Sequence, residues 1–98
     1  MKYSLLVSET AYEDATVIFD WYESKLTGLG DRFIKELQIA KTDLLNNPLA
    51  FAKWNKGIRR MVMRKFPYKL FYKIYDDKIV ILAIIHARRS KRYLKRRF

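Results

Sequence analysis

Ile58-Arg59-Arg60-Met61-Val62-Met63-Arg64, Tyr68-Lys69-Leu70-Phe71-Tyr72-Lys73-Ile74-Tyr75 and Lys78-Ile79-Val80-Ile81-Leu82-Ala83-Ile84-Ile85 are the three runs that decide the fold. Each has strand length and is rich in β-branched or aromatic residues. Phe66-Pro67 interrupts the chain between the first two. Asp76-Asp77 separates the second from the third, and Asp tolerates the positive φ of a tight hairpin. The runs therefore predict an antiparallel meander. The third run has no polar alternation and reads as a strand buried on both faces, hence central. The middle run does alternate: Tyr68, Leu70, Tyr72 and Ile74 share one face, which should meet the helices. Lys69, Phe71, Lys73 and Tyr75 share the other, which should look toward solvent or a ligand.

Working outward, Tyr3 to Val7 is a further strand candidate. Thr10 and Glu13 have the spacing of a capping box. Ala11, Ala15, Ile18, Tyr22 and Leu26 then form an apolar stripe at helical spacing, ending at Gly28. A second helix after Gly30 carries Phe33, Leu37, Ala40 and Leu44 on one face, with Ile34 beside them, until Asn46-Asn47-Pro48 stops it. The short glycine-containing link makes the two an antiparallel hairpin. Residues 51–57 read as irregular. Ser90 can cap a last helical turn or two, docked by Tyr93, Leu94 and Phe98. The expectation is a single α+β domain over residues 1–98, ordered β-α-α-β-β-β-α. An N-terminal helical hairpin packs on one face of a small, mainly antiparallel sheet, and residues 90–98 form a basic tail.

Charge is distributed unevenly. Residues 1–50 carry 5 Lys/Arg against 8 Asp/Glu, a net of −3, whereas residues 51–98 carry 16 against 2, a net of +14. Surface charge aids solubility in any protein, but this much like charge on one half repels itself and favours a polyanionic or acidic partner. Without cysteine there is no disulfide framework, thiolate metal site or cysteine nucleophile. One histidine, and acids confined largely to helix faces, give no metal-ligand cluster. Three glycines, none at P-loop spacing, give no phosphate loop, so no cofactor is expected. No apolar run reaches membrane-spanning length and no leader is evident, so a cytoplasmic protein is expected.

Ile58-Arg59-Arg60, then Phe66-Pro67-Tyr68-Lys69-Leu70-Phe71-Tyr72, then Ile84-Ile85-His86-Ala87-Arg88-Arg89 follow one another in a recognisable order. The pattern resembles that of the RelE/ParE toxins: an R-R strand, F-P-Y-[RK]-x-x-Y, and a hydrophobic strand ending in H-x-x-R. The resemblance covers nearly the whole chain. It implies a toxin of a type II toxin–antitoxin system, neutralised by a cognate antitoxin. It also implies one of two activities. ParE-like members poison DNA gyrase and are not nucleases; RelE-like members cut mRNA in the ribosomal A site. The H-x-x-R pair and the R-R strand favour the ParE-like branch, which implies plasmid stabilization and inhibition of gyrase. The nuclease, with ribosome and mRNA as partners, is the alternative. A non-toxic member that binds a partner or operator DNA is a further one.

The resemblance also selects residues. A metal-independent ribonuclease must activate a 2′-hydroxyl, protonate a leaving oxygen and stabilise a charged phosphate. Lys69 stands where RelE-like enzymes carry an arginine on the middle strand, Arg89 matches the arginine after the last strand, and Tyr93 lies near the place of a tail tyrosine. Lysine loses the bidentate phosphate contact of arginine, so this set is incomplete. His86, the lone histidine, is expected to organise the strand end by hydrogen bonding; acid–base work or partner contact are its alternatives. Arg60, Arg64, Lys69, Arg88, Arg89 and Arg92 are the candidates for contact with a target or with phosphates. Trp21 is expected in the core. Trp54 either covers one end of the core or is presented to a partner.

Overall fold

The computed structural model describes residues 2–98. A short strand β1 (Ser4–Val7) leads into α1 (Glu9–Lys25) and α2 (Leu29–Asn46); then come β2 (Ala52–Asn55), β3 (Ile58–Val62), β4 (Tyr68–Tyr75), β5 (Lys78–His86) and α3 (Lys91–Arg97). The α+β order read from the sequence is present, with one further strand, β2. Sheet order is β1-β5-β4-β3-β2. The β3, β4 and β5 runs form the expected antiparallel meander, and β1 adds parallel to β5 from Ser4↔Lys78 to Val7↔Ile81.

The helical hairpin forms for the reasons its sequence suggests, with two shifts. α1 is capped by Ser8, whose side chain accepts from the Ala11 amide; Thr10 lies inside the helix. Ser8 wins because it is the last extended residue, where its hydroxyl reaches the orphan amides. The same hydroxyl donates to the Leu82 carbonyl at 3.3 Å, fixing the helix start to β5. α1 ends at Lys25, and Gly28 (φ 91°) supplies the left-handed turn into α2. The α2 stripe of Phe33, Leu37, Ala40 and Leu44 is buried throughout. It packs, with Ala11 and Ile18 of α1, against Leu70, Tyr72, Ile79, Ile81 and Ile84 of the sheet. The α1 stripe is shorter than expected: Leu26 lies beyond the helix and is 62% exposed.

A second core lies on the opposite face of the sheet. There Phe71, Ala83, Ile85 and Ile58 are covered by Leu94, with Trp54, Tyr93 and Phe98 packed around them. Two features of the chain make this possible. Register changes from Phe71↔Ala83 to Tyr72↔Ile81, so Leu82 is an extra, bulged residue. The bulge reverses the alternation: Ile79 and Ile81 face the hairpin, and Ala83 and Ile85 face away. Then Ser90 caps α3 by accepting from the Tyr93 amide, and the helix lies over these residues. Thus α1 and α2 occupy one face as expected, while the tail helix occupies the other. The face of β4 expected to look outward is correspondingly divided: Phe71 is fully buried there, and Lys69 and Lys73 remain partly exposed.

Candidate functional site

The site arises from a shortage of strand. β1 pairs only with Lys78–Ile81, so the edge of β5 from Leu82 onward has no neighbour on that side. A buried amide without a partner is costly, and the chain supplies one from a side chain. The Asp14 carboxylate of α1 accepts from the Ile84 amide at 3.0 Å. The same oxygen accepts from the Arg97 guanidinium at 2.8 Å, tying α3 to α1 around the open edge. Between these elements lies a groove of about 560 Å³. Val17, Ile18, Trp21 and Tyr22 of α1 form one wall; Tyr68, Ile84 and His86 line its base; Arg88, Arg89 and Tyr93 form the opposite lip.

The lip is held by a short relay of contacts. The His86 Nδ1 accepts from the Arg88 amide at 3.1 Å. The Arg89 amide donates to the His86 carbonyl at 3.0 Å, closing a turn that projects both arginines. The Arg89 guanidinium stacks 4.3 Å from the Tyr93 ring centre, and the Tyr93 hydroxyl accepts from Arg97 at 3.2 Å. Arg97 is held above its ordinary pKa first by its hydrogen bond to Asp14, against the opposing effect of burial. Beneath the lip, burial pushes the Tyr68 hydroxyl up to about 12, with Tyr22 adding in the same direction. Tyr68 meets the His86 ring edge-on, with centroids 5.3 Å apart. Arg88 and Arg89 are exposed, so the lip carries positive charge beside the apolar α1 wall.

Of the residues singled out by sequence, His86, Arg88, Arg89 and Tyr93 come together in this groove. Lys69 does not: it alternates with Leu70 and so lies on the sheet face of Phe71, across the sheet from Tyr68 and its partner His86. Arg60 lies on that second face too, paired with Phe71. Arg64 is paired with Asp43 of α2 at 2.9 Å, and Arg92 is exposed on α3. Arg59, its neighbour in the R-R strand, donates to the carbonyls of Leu49 and Phe51 and fastens the connection after α2.

Trp21 is not a core residue. It is 53% exposed, as Val17 is 68% exposed, because both overhang the part of β5 that β1 leaves uncovered. Trp54 takes the covering role: its ring stands 5.4 Å from both Phe71 and Phe98. Asp14 and Val17 were not singled out by the sequence, and Tyr68 enters there only through the F-P-Y motif and the helix-facing side of β4. Helical spacing does place Asp14, Val17 and Trp21 on adjoining rows of α1. What one sequence does not carry is the length of β1, which decides whether those rows are covered. Among the described residues no cluster of three His, Asp or Glu is placed to hold a metal, and no helix is long and apolar enough to cross a membrane.

Comparison with known proteins bears on this arrangement. Residues 5–91 match the model of the ParE toxin of the type II toxin–antitoxin system parDE. No curated protein sequence matches. Among solved structures, the chromosomal ParDE toxin–antitoxin system of P. aeruginosa superposes with a TM-score of 0.77 at 19% identity, covering 87% of this chain and 96% of that one. The RelBE2 toxin–antitoxin complex of Mycobacterium tuberculosis gives a TM-score of 0.59 at 25% identity, covering 88% and 99%. The isolated RelE toxin of E. coli gives 0.64 at 18% identity, covering 96% and 94%. The low identities show a shared fold, and the family model spans the meander, the helical hairpin and the H-x-x-R turn together. The chain therefore belongs to the ParE toxin family of type II toxin–antitoxin systems.

Proposed function

We propose that this toxin acts by inhibiting DNA gyrase, in the cytoplasm, and that a cognate antitoxin neutralises it. The observation that supports a binding role over a catalytic one is the separation of Lys69 from His86. A ribonuclease of this type needs its phosphate-stabilising cation beside its proton donors and acceptors. Here Lys69 alternates onto the sheet face opposite His86 and does not line the groove that gathers His86, Arg89 and Tyr93. The His86 Nδ1 and the Arg89 guanidinium are already engaged by the Arg88 amide and the Tyr93 ring. What remains is a recognition surface: an apolar wall of Val17 and Trp21 facing the cationic lip of Arg88 and Arg89. That combination suits a protein partner that offers apolar anchors flanked by acids.

Purified gyrase tests the reading. The protein should block supercoiling, and Arg88→Ala with Arg89→Ala together should relieve both this inhibition and toxicity in cells while leaving the thermal midpoint close to that of the parent. A folded double variant that remains fully toxic contradicts the assignment. The antitoxin should supply an extended or helical segment with apolar anchors. Such a ligand binds only the folded toxin and should raise its midpoint by an amount that grows with the logarithm of its affinity.

A second reading, a ribosome-dependent endonuclease, draws support from the shared groove of His86, Arg89 and Tyr93. It requires cleavage of ribosome-bound mRNA by the purified toxin. Intact mRNA at high toxin concentration removes it.

A further inference from the structure

We propose that α3, with the adjoining strip of the sheet's second face, binds the phosphate backbone of duplex DNA without reading its sequence. The inference concerns a surface distinct from the groove. It rests on the gyrase reading only in choosing duplex DNA as the polyanion, since that is the substrate a topoisomerase holds.

The argument starts from a helix that is electrostatically unfavourable by itself. α3 contains five cations and no acid in seven residues. Lys91 and Lys95, and Arg92 and Arg96, are like-charged pairs at i, i+4 spacing, which destabilise an isolated helix. Among the described residues only Arg97 finds a carboxylate, Asp14; the other four are exposed and make no ion pair there. Nothing in the packing asks for them, because Leu94 alone is buried in the second core and Tyr93 and Phe98 complete the contact. They stand on the solvent side of the docked helix.

The charge continues onto the sheet. Leu94 covers Phe71 and Ile85, and the cross-strand neighbours of those two residues are Arg60 and Lys69. Both point to the same face as α3, by alternation along their strands. The covered rungs are thus flanked by cations, and the outward side of α3 adds four more. Apart from Asp14, which holds Arg97, the acids of the fold lie on other elements: four more on α1, Asp31, Glu36 and Asp43 on α2, and Asp76 and Asp77 at the β4–β5 hairpin. The molecule is therefore polarised, with an acidic helix on one face and a cationic helix on the other. An unpaired, closely spaced row of Lys and Arg on a rigidly docked element is what a regularly charged phosphate chain neutralises, with release of condensed counterions. Gyrase recognition and backbone binding then use different faces of one toxin.

Fluorescence anisotropy of the full chain with a labelled duplex of arbitrary sequence tests this, with no gyrase present. With six phosphate contacts, raising salt from about 50 to about 200 mM should weaken binding about 10³-fold. The variant Lys91→Gln, Arg92→Gln, Lys95→Gln, Arg96→Gln retains two contacts and should weaken only about tenfold over the same range. The double variant Arg92→Gln, Arg96→Gln should fall between them, and it serves if the quadruple variant does not fold. A control that removes four cations from the helical hairpin, Lys25→Gln, Arg32→Gln, Lys35→Gln, Lys41→Gln, should keep the parent's salt slope. Equal losses in the α3 and hairpin variants would reduce the effect to net charge and overturn the proposal. So would undetectable duplex binding at low salt, or tighter binding of single-stranded RNA than of duplex DNA. Supercoiling assays report on the groove separately: inhibition without DNA binding overturns only this proposal, and DNA binding without inhibition overturns only the gyrase reading.

Discussion

Replacing Asp14 separates two jobs that one carboxylate oxygen performs. It accepts from the Ile84 amide at 3.0 Å and from Arg97 at 2.8 Å. Asp14→Asn leaves an acceptor for the amide but removes the charge that holds Arg97. Both side chains keep about a fifth of their exposure (18% and 20%), so solvent screening reduces that loss to about 1 kcal/mol. Asp14→Ala also strands the amide of Ile84, a residue only 4% exposed, and an unpaired buried donor costs a further ~1–3 kcal/mol. The expected totals are about 1 kcal/mol for Asn and about 3 kcal/mol for Ala. In a domain of this size the thermal midpoint moves roughly 4–8 °C per kcal/mol. Asn should therefore lower it by roughly 4–8 °C and Ala by at least about 12 °C. Thermal melts give the totals, and hydrogen exchange locates them: the Ile84 amide should lose protection in the Ala variant and largely keep it in the Asn variant. Equal midpoints for the two variants, or unchanged Ile84 exchange in Asp14→Ala, would refute the idea that a side chain completes this strand edge.

Three further expectations follow from the packing. A Cβ at Gly30 would meet two Phe19 ring carbons at 2.8 Å and the Glu23 carboxylate at 2.9 Å, and that carboxylate also accepts from the Gly28 and Gly30 amides. Gly30→Ala should cost about 1–3 kcal/mol in chemical denaturation. The fully buried Tyr72 donates to the Pro48 carbonyl at 2.6 Å, and Tyr72→Phe should cost about 1 kcal/mol near neutral pH. Burial raises the Tyr72 pKa from 10.0 to about 12, with Arg59 opposing it. Its contribution is thus complete below pH 10 and is lost as pH rises toward 12, at about 1.4 kcal/mol per pH unit. Urea midpoints across this range should fall less steeply in Tyr72→Phe than in the parent; parallel profiles would contradict the assignment.

Much of this fold is legible because its determinants are local. The α2 stripe, the Asp76-Asp77 hairpin, the Ser90 cap and the unbroken apolar run of β5 each carry their own signal. The missed features depend on context. β2 is short and its Lys56-Gly57 turn, with φ of 51° and 80°, is a tight hairpin signalled only by the glycine. The placement of α3 on the second face depends on the Leu82 bulge, which turns Ala83 and Ile85 away from the hairpin; an unbroken apolar run hides such a reversal. Trp21 looks like core on a helical wheel and is exposed because β1 stops at Val7. The groove was half legible. His86, Arg88, Arg89 and Tyr93 are close in sequence and stay close in space, whereas Lys69 was joined to them by motif, and strand alternation sends it to the other face.

The most direct test of the central claim is pulse labelling of cells after induction of this chain, following DNA and protein synthesis separately. Inhibition of gyrase predicts an early fall in DNA synthesis while protein synthesis continues. An immediate fall in protein synthesis, with DNA synthesis following later, would contradict it and turn attention to His86, Arg89 and Tyr93 as chemical participants.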